Sequence, residues 1–425
     1  MLGEGFETAP EDEADVLIIN TCAFIDAAKQ EAIDTIFSYT RARDEKGASA
    51  AGQRIIVAGC LSQRYSTQLV KLMPEVDAFV GVDYVCRIGS IARACLEGKH
   101  DKVYSTKVST LMPDFGETRY RHTPSHSAYV KIAEGCNHAC AYCIIPRIRG
   151  PHRSRPMANV LREIRSLVQR GAKEINLIAQ DTTYYGMDRW AVRAAKTSGV
   201  DSTRGDSLAS LLREANEIEG DFWLRVLYTH PAHWSEELVQ TFASCDKVAK
   251  YVDIPLQHIS DHILAEQRRM TDGDTIRRLI CRLREAVPGM GLRTTFISGL
   301  PGETEDDHAE LCDFVREFRF ERAGVFPYSR EEGTLAAKMK PQVHASTRKR
   351  RANELNMILA GIADEIGQAC VGQTMRVLVD APGIARGAWD APDVDGAIHV
   401  DPALPVGEFA DVVITDSIAY ELFAH

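Results

Sequence analysis

The stretch YVKIAEGCNHACAYCIIPRIRGPHRSR, residues 129–155, decides the organisation of this chain. It opens with an alternating apolar run typical of a strand and continues into Cys136, Cys140 and Cys143, spaced C-x3-C-x2-C. Three thiolates on one short loop suit an iron–sulfur cluster, because thiolate is the ligand that such clusters take. A closed structural zinc site needs four ligands, and a fourth ligand from His138 would require the loop to fold back awkwardly. We therefore predict a four-iron cluster with one iron left open for chemistry.

The composition is that of a soluble, globular protein with more than one domain. A chain of 425 residues is too long for one ordinary core, so two or three domains are expected. No apolar run has the length of a membrane span, and the acidic N-terminus lacks the order of a signal peptide, so a cytoplasmic location is expected. Eleven cysteines, an odd number, favour metal ligands and reduced thiols over disulfides. The net charge of −10 disfavours non-specific nucleic-acid binding and suits a basic protein partner.

Residues 15–118 alternate between strand and helix patterns, which predicts a doubly wound parallel sheet. Cys22 and Cys60 lie at the carboxyl ends of the first two predicted strands, which are residues 14–20 and 53–59. Functional groups of such sheets lie beyond the carboxyl ends of the strands, so we predict both cysteines to be metal ligands. The remaining cysteines fit the role of small buried hydrophobic residues: Cys86, Cys95, Cys245, Cys281, Cys312 and Cys370. Residues 103–127 turn polar and are predicted to be a linker.

A second alternation begins at residue 128 and contains six strand–helix units. It predicts an incomplete barrel of the TIM type, whose chemistry lies at the carboxyl ends of the strands. Each predicted end carries polar or glycine-rich residues, at 134–136, 180–183, 229–231, 256–258, 298–303 and 328–334. Residues 188–206 form a long irregular loop, which we interpret as a lid or a docking surface.

From residue 372 the pattern changes to short β-rich pieces with Gly, Pro and Asp turns, which predicts a small barrel of the OB type. The segment from 370 to 425 contains two arginines and nine acidic residues, so it carries a charge of −7 with histidine neutral. Because phosphate binding relies on Lys and Arg, we expect this barrel to repel RNA and to attract a cationic protein. The acidic residues are Asp380, Asp390, Asp393, Asp395, Asp401, Glu408, Asp411, Asp416 and Glu421.

The string EGCNHACAYCIIPRIRG, residues 134–150, resembles the methylthiotransferase branch of the radical S-adenosylmethionine (radical SAM) superfamily. The resemblance covers nearly the whole chain from about residue 11. It implies three domains: an N-terminal methylthiotransferase domain at 1–118, a radical SAM domain at 122–365 and a TRAM domain at 366–425. It also implies S-adenosylmethionine and two four-iron (4Fe-4S) clusters as cofactors.

The same resemblance assigns roles to residues of this sequence. It implies that Cys136, Cys140 and Cys143 hold the cluster whose free iron binds S-adenosylmethionine. A radical derived from that cofactor removes hydrogen from an unactivated carbon, which acid–base groups cannot do. A second, N-terminal cluster held by Cys22 and Cys60 carries the sulfur to be inserted. The expected contacts to S-adenosylmethionine are Tyr142, Gln180, Ser298, Gly299 and Glu303.

The sequence departs from this family at its N-terminus. The family has a further cysteine on a G-C-x-x-N turn after an opening strand, and no residue here matches it. Residues 1–6 resemble the tail of the first helix, so the N-terminal domain is incomplete and its first strand is missing. We hypothesise a start codon assigned too late or a truncated gene, and we expect the N-terminal cluster to lack one cysteine ligand in this chain.

Two segments, DAPDVDG at 390–396 and IAQDTTYYG at 178–186, resemble the ribosomal-protein branch of the methylthiotransferases. The resemblance implies an aspartate β-carbon of the basic small-subunit ribosomal protein number twelve as substrate. It also implies an electron donor such as flavodoxin or ferredoxin. One alternative is the branch that modifies tRNA adenosine. Another is an inactive iron–sulfur protein that binds S-adenosylmethionine but lacks the first N-terminal cysteine.

Overall fold

The segment RIIVAG is buried at every residue but its first, as is typical of a central strand in a parallel sheet covered on both faces. It is the second strand of a parallel sheet in the order β1-β2-β3-β4. The predicted doubly wound sheet is thus confirmed. The strands and helices of this part are β1 (Val16–Thr21), α1 (Asp26–Lys46), β2 (Arg54–Gly59), α2 (Cys60–Leu72), β3 (Ala78–Val80), α3 (Ile88–Leu96), β4 (Val103–Tyr104) and α4 (Ile145–Arg149).

The structure is a computed structural model that describes residues 5–46, 52–110, 112 and 123–425. The chain forms two compact units. The first comprises Met1–Tyr120, Tyr142–Pro151 and Ser329–Ala337, and the second comprises Arg121–Ala141, His152–Tyr328 and Lys338–His425.

The stretch predicted as a linker begins with a strand instead. β4 pairs with β3 through Phe79 and Val103, and two paired residues are too few to show a period in the sequence. Residues 1–4 of the segment that resembles a helix tail, and residues 111 and 113–122 of the predicted linker, lie outside the described part of the chain.

The second unit contains the predicted six parallel strands, arranged as two three-stranded sheets in the orders β5-β8-β9 and β10-β11-β12. A parallel bridge between Leu224 and Val248 lies beside the first of these sheets. The six strands follow one another in chain order with helices between them, which confirms the partial barrel. Its elements are β5 (Ser127–Lys131), β6 (Ala133–Glu134), β7 (Arg153–Ser154), α5 (Met157–Gln169), β8 (Glu174–Ile178), α6 (Leu208–Asn216), β9 (Trp223–Val226), α7 (Glu236–Ser244), β10 (Tyr251–Asp253), α8 (Asp261–Glu266), α9 (Gly273–Ala286), β11 (Gly291–Ser298), α10 (Glu305–Phe318), β12 (Arg322–Pro327) and α11 (Ala345–Cys370).

Local sequence explains several helix boundaries in this barrel. α6 begins with a reciprocal capping box between Ser207 and Ser210, and α10 begins with one between Thr304 and Asp307. Each box satisfies backbone N–H groups that the first turn of a helix leaves without partners.

The C-terminal strands close into a five-stranded barrel in the order β13-β14-β15-β17-β16, as predicted. They are β13 (Thr374–Ala381), β14 (Ile384–Gly387), β15 (Ile398–His399), β16 (Phe409–Ile418) and β17 (Glu421–Ala424). The division of the chain at 1–118, 122–365 and 366–425 stays a prediction, because the second unit joins the partial barrel and the C-terminal barrel in one compact body.

Buried charges connect these two barrels within the second unit. Glu174 on β8 accepts hydrogen bonds from Arg225 at 2.9 Å and from Arg386 at 2.8 Å, and all three side chains are almost fully buried. Burial opposes ionisation of Glu174, but the two guanidinium groups lower its pKa to about 2. The C-terminal barrel is therefore held to the base of the partial barrel by a buried ionic network. None of the helices in the described part combines the length and the apolar character that crossing a membrane requires.

Candidate active site

The cysteine loop, residues 135–141, is fixed by the barrel that carries it. Gly135, in a left-handed conformation with φ of +81°, donates its N–H to Gln180 Oε1 at the end of β8. At the other end of the loop, Ala141 N donates to the carbonyl oxygen of Gln267 at 2.9 Å. Between these points Asn137 Oδ1 accepts the N–H of His152 at 3.1 Å. The loop thus has contacts on both of its sides, which limits the positions that its sulfurs can take.

Hydrogen-bond donors point at the two sulfurs of this loop. The N–H of His138 donates to Cys136 Sγ at 3.4 Å, and the Arg269 guanidinium donates to Cys140 Sγ at 3.8 Å. Donors of this kind stabilise the negative charge on cluster-bound sulfur and tune the cluster's reduction potential. The residues present therefore fit an iron–sulfur cluster.

Beneath the loop lies a buried histidine–aspartate group, formed by His138, Asp181, His230 and His233. His138 Nε2 lies 3.0 Å from Asp181 Oδ2 and 3.0 Å from His233 Nε2, and its ring stacks on His230 at 3.7 Å between centroids. Burial opposes ionisation of Asp181, yet the neighbouring His233 and His138 hold its pKa well below the usual value. Burial also holds the pKa of His230 well below its ordinary value.

This group joins the cysteine loop to the strand ends of the barrel. One ring nitrogen of His138 is already engaged with Asp181 and His233, so its contacts tie the loop to the carboxyl ends of β8 and β9. Asp181 and His230 lie in two of the predicted strand ends. His233 was missed because it follows its strand by seven residues, and only the fold brings it under the loop.

The glycine-rich turn after β11 is built around Glu303. Its Oε2 accepts hydrogen bonds from the N–H groups of Gly299 at 2.6 Å and Leu300 at 3.0 Å. Its Oε1 accepts a hydrogen bond from the Arg351 guanidinium at 2.8 Å. These contacts show a role for Glu303 in shaping the turn. Gly299 itself has φ of +77°, and a Cβ there would clash with the side chain of Arg348.

Among the buried polar atoms near this turn that have no hydrogen-bond partner in the described part of the chain are Ser298 Oγ and His258 Nε2. His258 Nε2 lies 3.7 Å from Glu303, too far for a hydrogen bond, and burial lowers the pKa of His258 to about 3, so the ring is neutral. Such atoms are costly to bury unless a ligand or water satisfies them. His258 lies in the predicted strand end 256–258 but was not singled out from the sequence.

In the first unit, the parallel pairing of β1 and β2 brings Cys22 and Cys60 to neighbouring positions. Thr21 pairs with Gly59, and each cysteine is the next residue of its chain segment. Gly59 has φ of +101°, and a Cβ there would lie 2.6 Å from the Thr21 carbonyl oxygen. A glycine is required for this approach because only glycine adopts such a φ without cost and leaves the space open. Cys22 is exposed and Cys60 is buried.

Basic residues surround this cysteine pair within the first unit. Arg149, the last residue of α4, donates to Cys60 Sγ at 3.1 Å. Arg64 donates to the carbonyl oxygen of Ala23, next to Cys22, at 2.8 Å and forms a buried ion pair with Glu331 at 3.0 Å. No local pattern indicates Arg64 or Glu331, since the contact joins positions 267 residues apart.

The third cysteine of the motif, Cys143, and Tyr142 belong to the segment Tyr142–Pro151 of the first unit, whereas Cys136 and Cys140 belong to the second. All three cysteines lie within eight consecutive residues. The roles of Cys143 as a ligand and of Tyr142 as an adenine contact stay predictions.

The other cysteines divide by burial. Cys95, Cys245, Cys312 and Cys370 are buried as predicted, and burial raises the pKa of Cys95 and Cys312 to about 11. The prediction was wrong for Cys86 and Cys281, which are exposed. A single cysteine on a helix carries no signal of which face it occupies.

Several acidic side chains of the C-terminal segment are paired within the protein and so are not available to a partner. Four of its nine acidic side chains pair with cations of the second unit: Asp380 with Arg386, Asp390 with Arg322, Asp395 with Arg293 and Glu408 with Lys173. Two of the three aspartates in the 390–396 motif thus stabilise an internal interface. Outside these pairs, the exposed acidic groups that could repel RNA are Asp393, Asp401, Asp411 and Asp416.

Comparison with known protein families divides the chain into three matches. Residues 130–315 match the radical SAM superfamily, residues 371–425 match the TRAM domain, and residues 1–81 match a family described as "Uncharacterized protein family UPF0004". Radical SAM enzymes use a four-iron cluster and S-adenosylmethionine, so these are the cofactors that the central match implies.

Curated relatives cover nearly the whole chain. A protein of Akkermansia muciniphila is 58% identical over 99% of this chain and 93% of its own length. One of Opitutus terrae is 51% identical over 99% of this chain and 90% of its own, and one of a Thermoanaerobacter species is 42% identical over 97% and 91%. Each is named ribosomal protein uS12 methylthiotransferase RimO.

Solved structures agree on the fold alone. The radical SAM methyltransferase TsrM of Kitasatospora setae superposes with a TM-score of 0.56 at 15% identity, covering 93% of this chain and 74% of its own. With the cysteine loop, the partial barrel and the full-length relatives considered together, the chain belongs to the RimO family of radical SAM methylthiotransferases.

Proposed function

We propose that this chain is a transferase that inserts a methylthio group at the β-carbon of an aspartate in ribosomal protein uS12. The observation that carries the proposal is the cysteine loop, whose sulfurs Cys136 and Cys140 receive hydrogen bonds at the carboxyl end of the barrel strands. The full-length relatives named for this reaction support the choice of substrate.

In this proposal Cys136, Cys140 and Cys143 hold a four-iron cluster with one iron open to S-adenosylmethionine. When bound, this cofactor pair supplies the radical that removes hydrogen from an unactivated carbon. The chain's own residues position the site. Asp181 and His233 hold the loop through His138, and Arg269 places positive charge against Cys140.

The cofactor contacts follow from the strand ends. Ser298 Oγ and His258 Nε2 are the buried atoms left for S-adenosylmethionine, while Gln180 and Glu303 act by holding Gly135 and Gly299 in place. Tyr142 contacts the adenine in this assignment, as the family resemblance implies.

Cys22 and Cys60 are assigned to a second cluster that carries the sulfur to be inserted. Arg149 and Arg64 provide the positive charge that a cluster with thiolate ligands requires. We assign S-adenosylmethionine cleavage to the motif of Cys136, Cys140 and Cys143, independent of the N-terminal cluster.

The experiment compares wild type with Cys136→Ala and Cys60→Ala after anaerobic reconstitution with iron and sulfide. Iron content and deoxyadenosine release are measured with a chemical reductant. Cys136→Ala is expected to abolish deoxyadenosine release, while Cys60→Ala loses iron but continues to release deoxyadenosine. Cys370→Ala, which removes a buried thiol of the C-terminal region, is the control. Deoxyadenosine release by Cys136→Ala would refute the assignment of the loop.

The runner-up, a tRNA-modifying enzyme, makes a different electrostatic prediction. RNA binding weakens steeply with salt because counterions are released from phosphates. The exposed aspartates of the C-terminal barrel oppose such binding. Tight, strongly salt-dependent binding of tRNA would favour this alternative over uS12.

A further inference from the structure

Just after α8, two consecutive arginines have opposite environments. Arg268 has φ of +54°, a left-handed conformation that is uncommon outside glycine. Its N–H donates to the Ala265 carbonyl oxygen at 3.0 Å, and the next N–H, of Arg269, donates to Leu264 at 2.8 Å, which closes the helix. As a result Arg269 is buried against Cys140, while Arg268 is exposed.

A pocket of about 360 Å³ lies on this side of the second unit. Arg268 and Arg269 line it together with Lys196, which comes from the irregular loop 188–206. Lys196 and Arg268 are exposed, and neither forms an ion pair with any residue in the described part of the chain. None of the described residues that line the pocket is acidic.

The pocket adjoins the cysteine loop directly. Ala139, which lies between Cys136 and Cys140 in the sequence, is exposed and forms part of the pocket wall. A molecule seated in the pocket therefore touches the loop that the proposed function assigns to the cluster. Exposed Met270 and the side chain of Leu264 give the pocket an apolar component beside its charge.

We infer that this basic pocket is the docking site for an acidic one-electron carrier protein, an inference that rests on the proposed function. The chemistry assigned to the loop consumes electrons one at a time. In each transfer the reduced cofactor of the carrier loses one electron and the cluster gains it. The positive pocket attracts an acidic surface, which speeds encounter and fixes orientation. The cationic ribosomal protein is repelled by the same charges, so substrate and electron donor approach from different places.

The test uses the full-length reconstituted protein and an acidic flavodoxin in its hydroquinone form. Cluster reduction is followed by rapid-mixing absorbance in wild type and in the Lys196→Glu/Arg268→Glu double variant. The double variant is expected to be reduced about tenfold more slowly, and the wild-type rate is expected to fall as salt is added. Lys349→Glu, an exposed charge reversal on α11, is the matched control and should keep the wild-type rate.

A second, small-molecule reductant distinguishes a loss of carrier docking from damage to the cluster. Reduced methyl viologen is a small cation that needs no basic pocket, so both variants should be reduced by it at the wild-type rate and should then release deoxyadenosine. Binding of the oxidised flavodoxin to cluster-free protein, measured by calorimetry, should also weaken in the double variant, and charge-neutral Lys196→Gln/Arg268→Gln should give an intermediate loss.

Unchanged reduction by flavodoxin in the double variant would overturn the inference, as would an equal loss with methyl viologen. A loss of uS12 binding in place of flavodoxin binding would assign the pocket to the substrate and overturn it as well. Failure of wild-type protein to release deoxyadenosine with methyl viologen would instead count against the proposed function.

Discussion

Gly59 illustrates how a single residue decides whether two cysteines can meet. Its φ is +101°, and a Cβ at this position would lie only 2.6 Å from the Thr21 carbonyl oxygen, so there is no room for a side chain. Because Cys60 is the next residue, any shift of the backbone at Gly59 moves that sulfur away from Arg149 and from Cys22.

We therefore expect Gly59→Ala to destabilise the protein by about 2 kcal/mol or more, since alanine is strained in the left-handed conformation and also meets the close contact. It should also lower the iron retained by Cys136→Ala protein, in which only the proposed N-terminal site remains. Gly98→Ala is the matched control, because Gly98 has φ of +68° with open space around it, so about 1 kcal/mol is expected there. Denaturant unfolding and iron analysis measure both effects, and equal costs at the two glycines would contradict this account.

The buried Glu174 should make the stability of the protein depend on pH. Its folded pKa of about 2 lies below the ordinary 4.5. A carboxyl with a lowered pKa contributes stability that is fully present above its unfolded pKa and is lost as pH falls through the folded pKa. The contribution of Glu174 should accordingly decline between about pH 4.5 and about pH 2.

At pH 7 Glu174→Gln should cost about 3–5 kcal/mol, because it leaves Arg225 and Arg386 buried beside a neutral amide. The difference from wild type should shrink as the pH is lowered toward about 3. Glu408→Gln, in a half-exposed pair with Lys173, should cost less than about 1 kcal/mol at either pH. Denaturant unfolding at both pH values measures these differences. A Glu174→Gln effect that does not change with pH would show that the ionised carboxylate is not the source of the stability.

Among the elements, the cysteine loop depends on the ends of β8 and β9. Asp181 and His233 contact it through His138, and Gln180 contacts it through Gly135. Strand ends of a rigid barrel thus position a loop that has little regular structure of its own.

Asp181→Asn should loosen this loop, because the amide keeps the shape of the side chain but removes the negative charge beside His138. We expect faster hydrogen exchange at residues 135–141 and a lower iron content after reconstitution, with a stability loss of about 1–3 kcal/mol. Asp201→Asn, an exposed cap in the loop 188–206, should change none of these. Exchange rates at 135–141 equal to those of wild type would exclude a positioning role for Asp181.

The strands and helices could be predicted from the sequence better than the contacts made around the cysteines. The spacing of Cys136, Cys140 and Cys143 is local, and Cys22 and Cys60 follow strands whose apolar runs are plain in the sequence. Arg149 reaches Cys60 across 89 positions and Arg64 reaches Glu331 across 267, so no local pattern could show these pairs. The charge of the C-terminal segment can be counted from the sequence, but whether an aspartate faces solvent or Arg322 depends on how the barrels pack.

For the molecule as a whole, the packing of the C-terminal barrel on the partial barrel depends on the motif at 390–396. Asp390 accepts hydrogen bonds from the Arg322 guanidinium and from the Gly387 N–H, and Asp395 accepts from Tyr251 and Arg293. The resemblance of this motif to its family thus corresponds to an internal contact of the second unit.

We expect Asp390→Asn to cost about 3–5 kcal/mol, since Arg322 is left buried without its counter-charge. Hydrogen exchange should rise throughout residues 374–424. Asp393→Asn is the matched control from the same motif: Asp393 is exposed with φ of +61°, a conformation that asparagine tolerates, and no loss is expected. Equal exchange in the two variants would argue against an interface role for Asp390.

Mass spectrometry of uS12 tests the reaction and its substrate together. Purified uS12 is incubated under anaerobic conditions with the reconstituted chain, S-adenosylmethionine, a sulfur source and a reductant, with Cys136→Ala as the inactive control. The reconstituted chain should add the mass of one methylthio group to a single aspartate-containing peptide. Unmodified uS12 together with modified tRNA, or a modified uS12 produced by Cys136→Ala, would contradict the account.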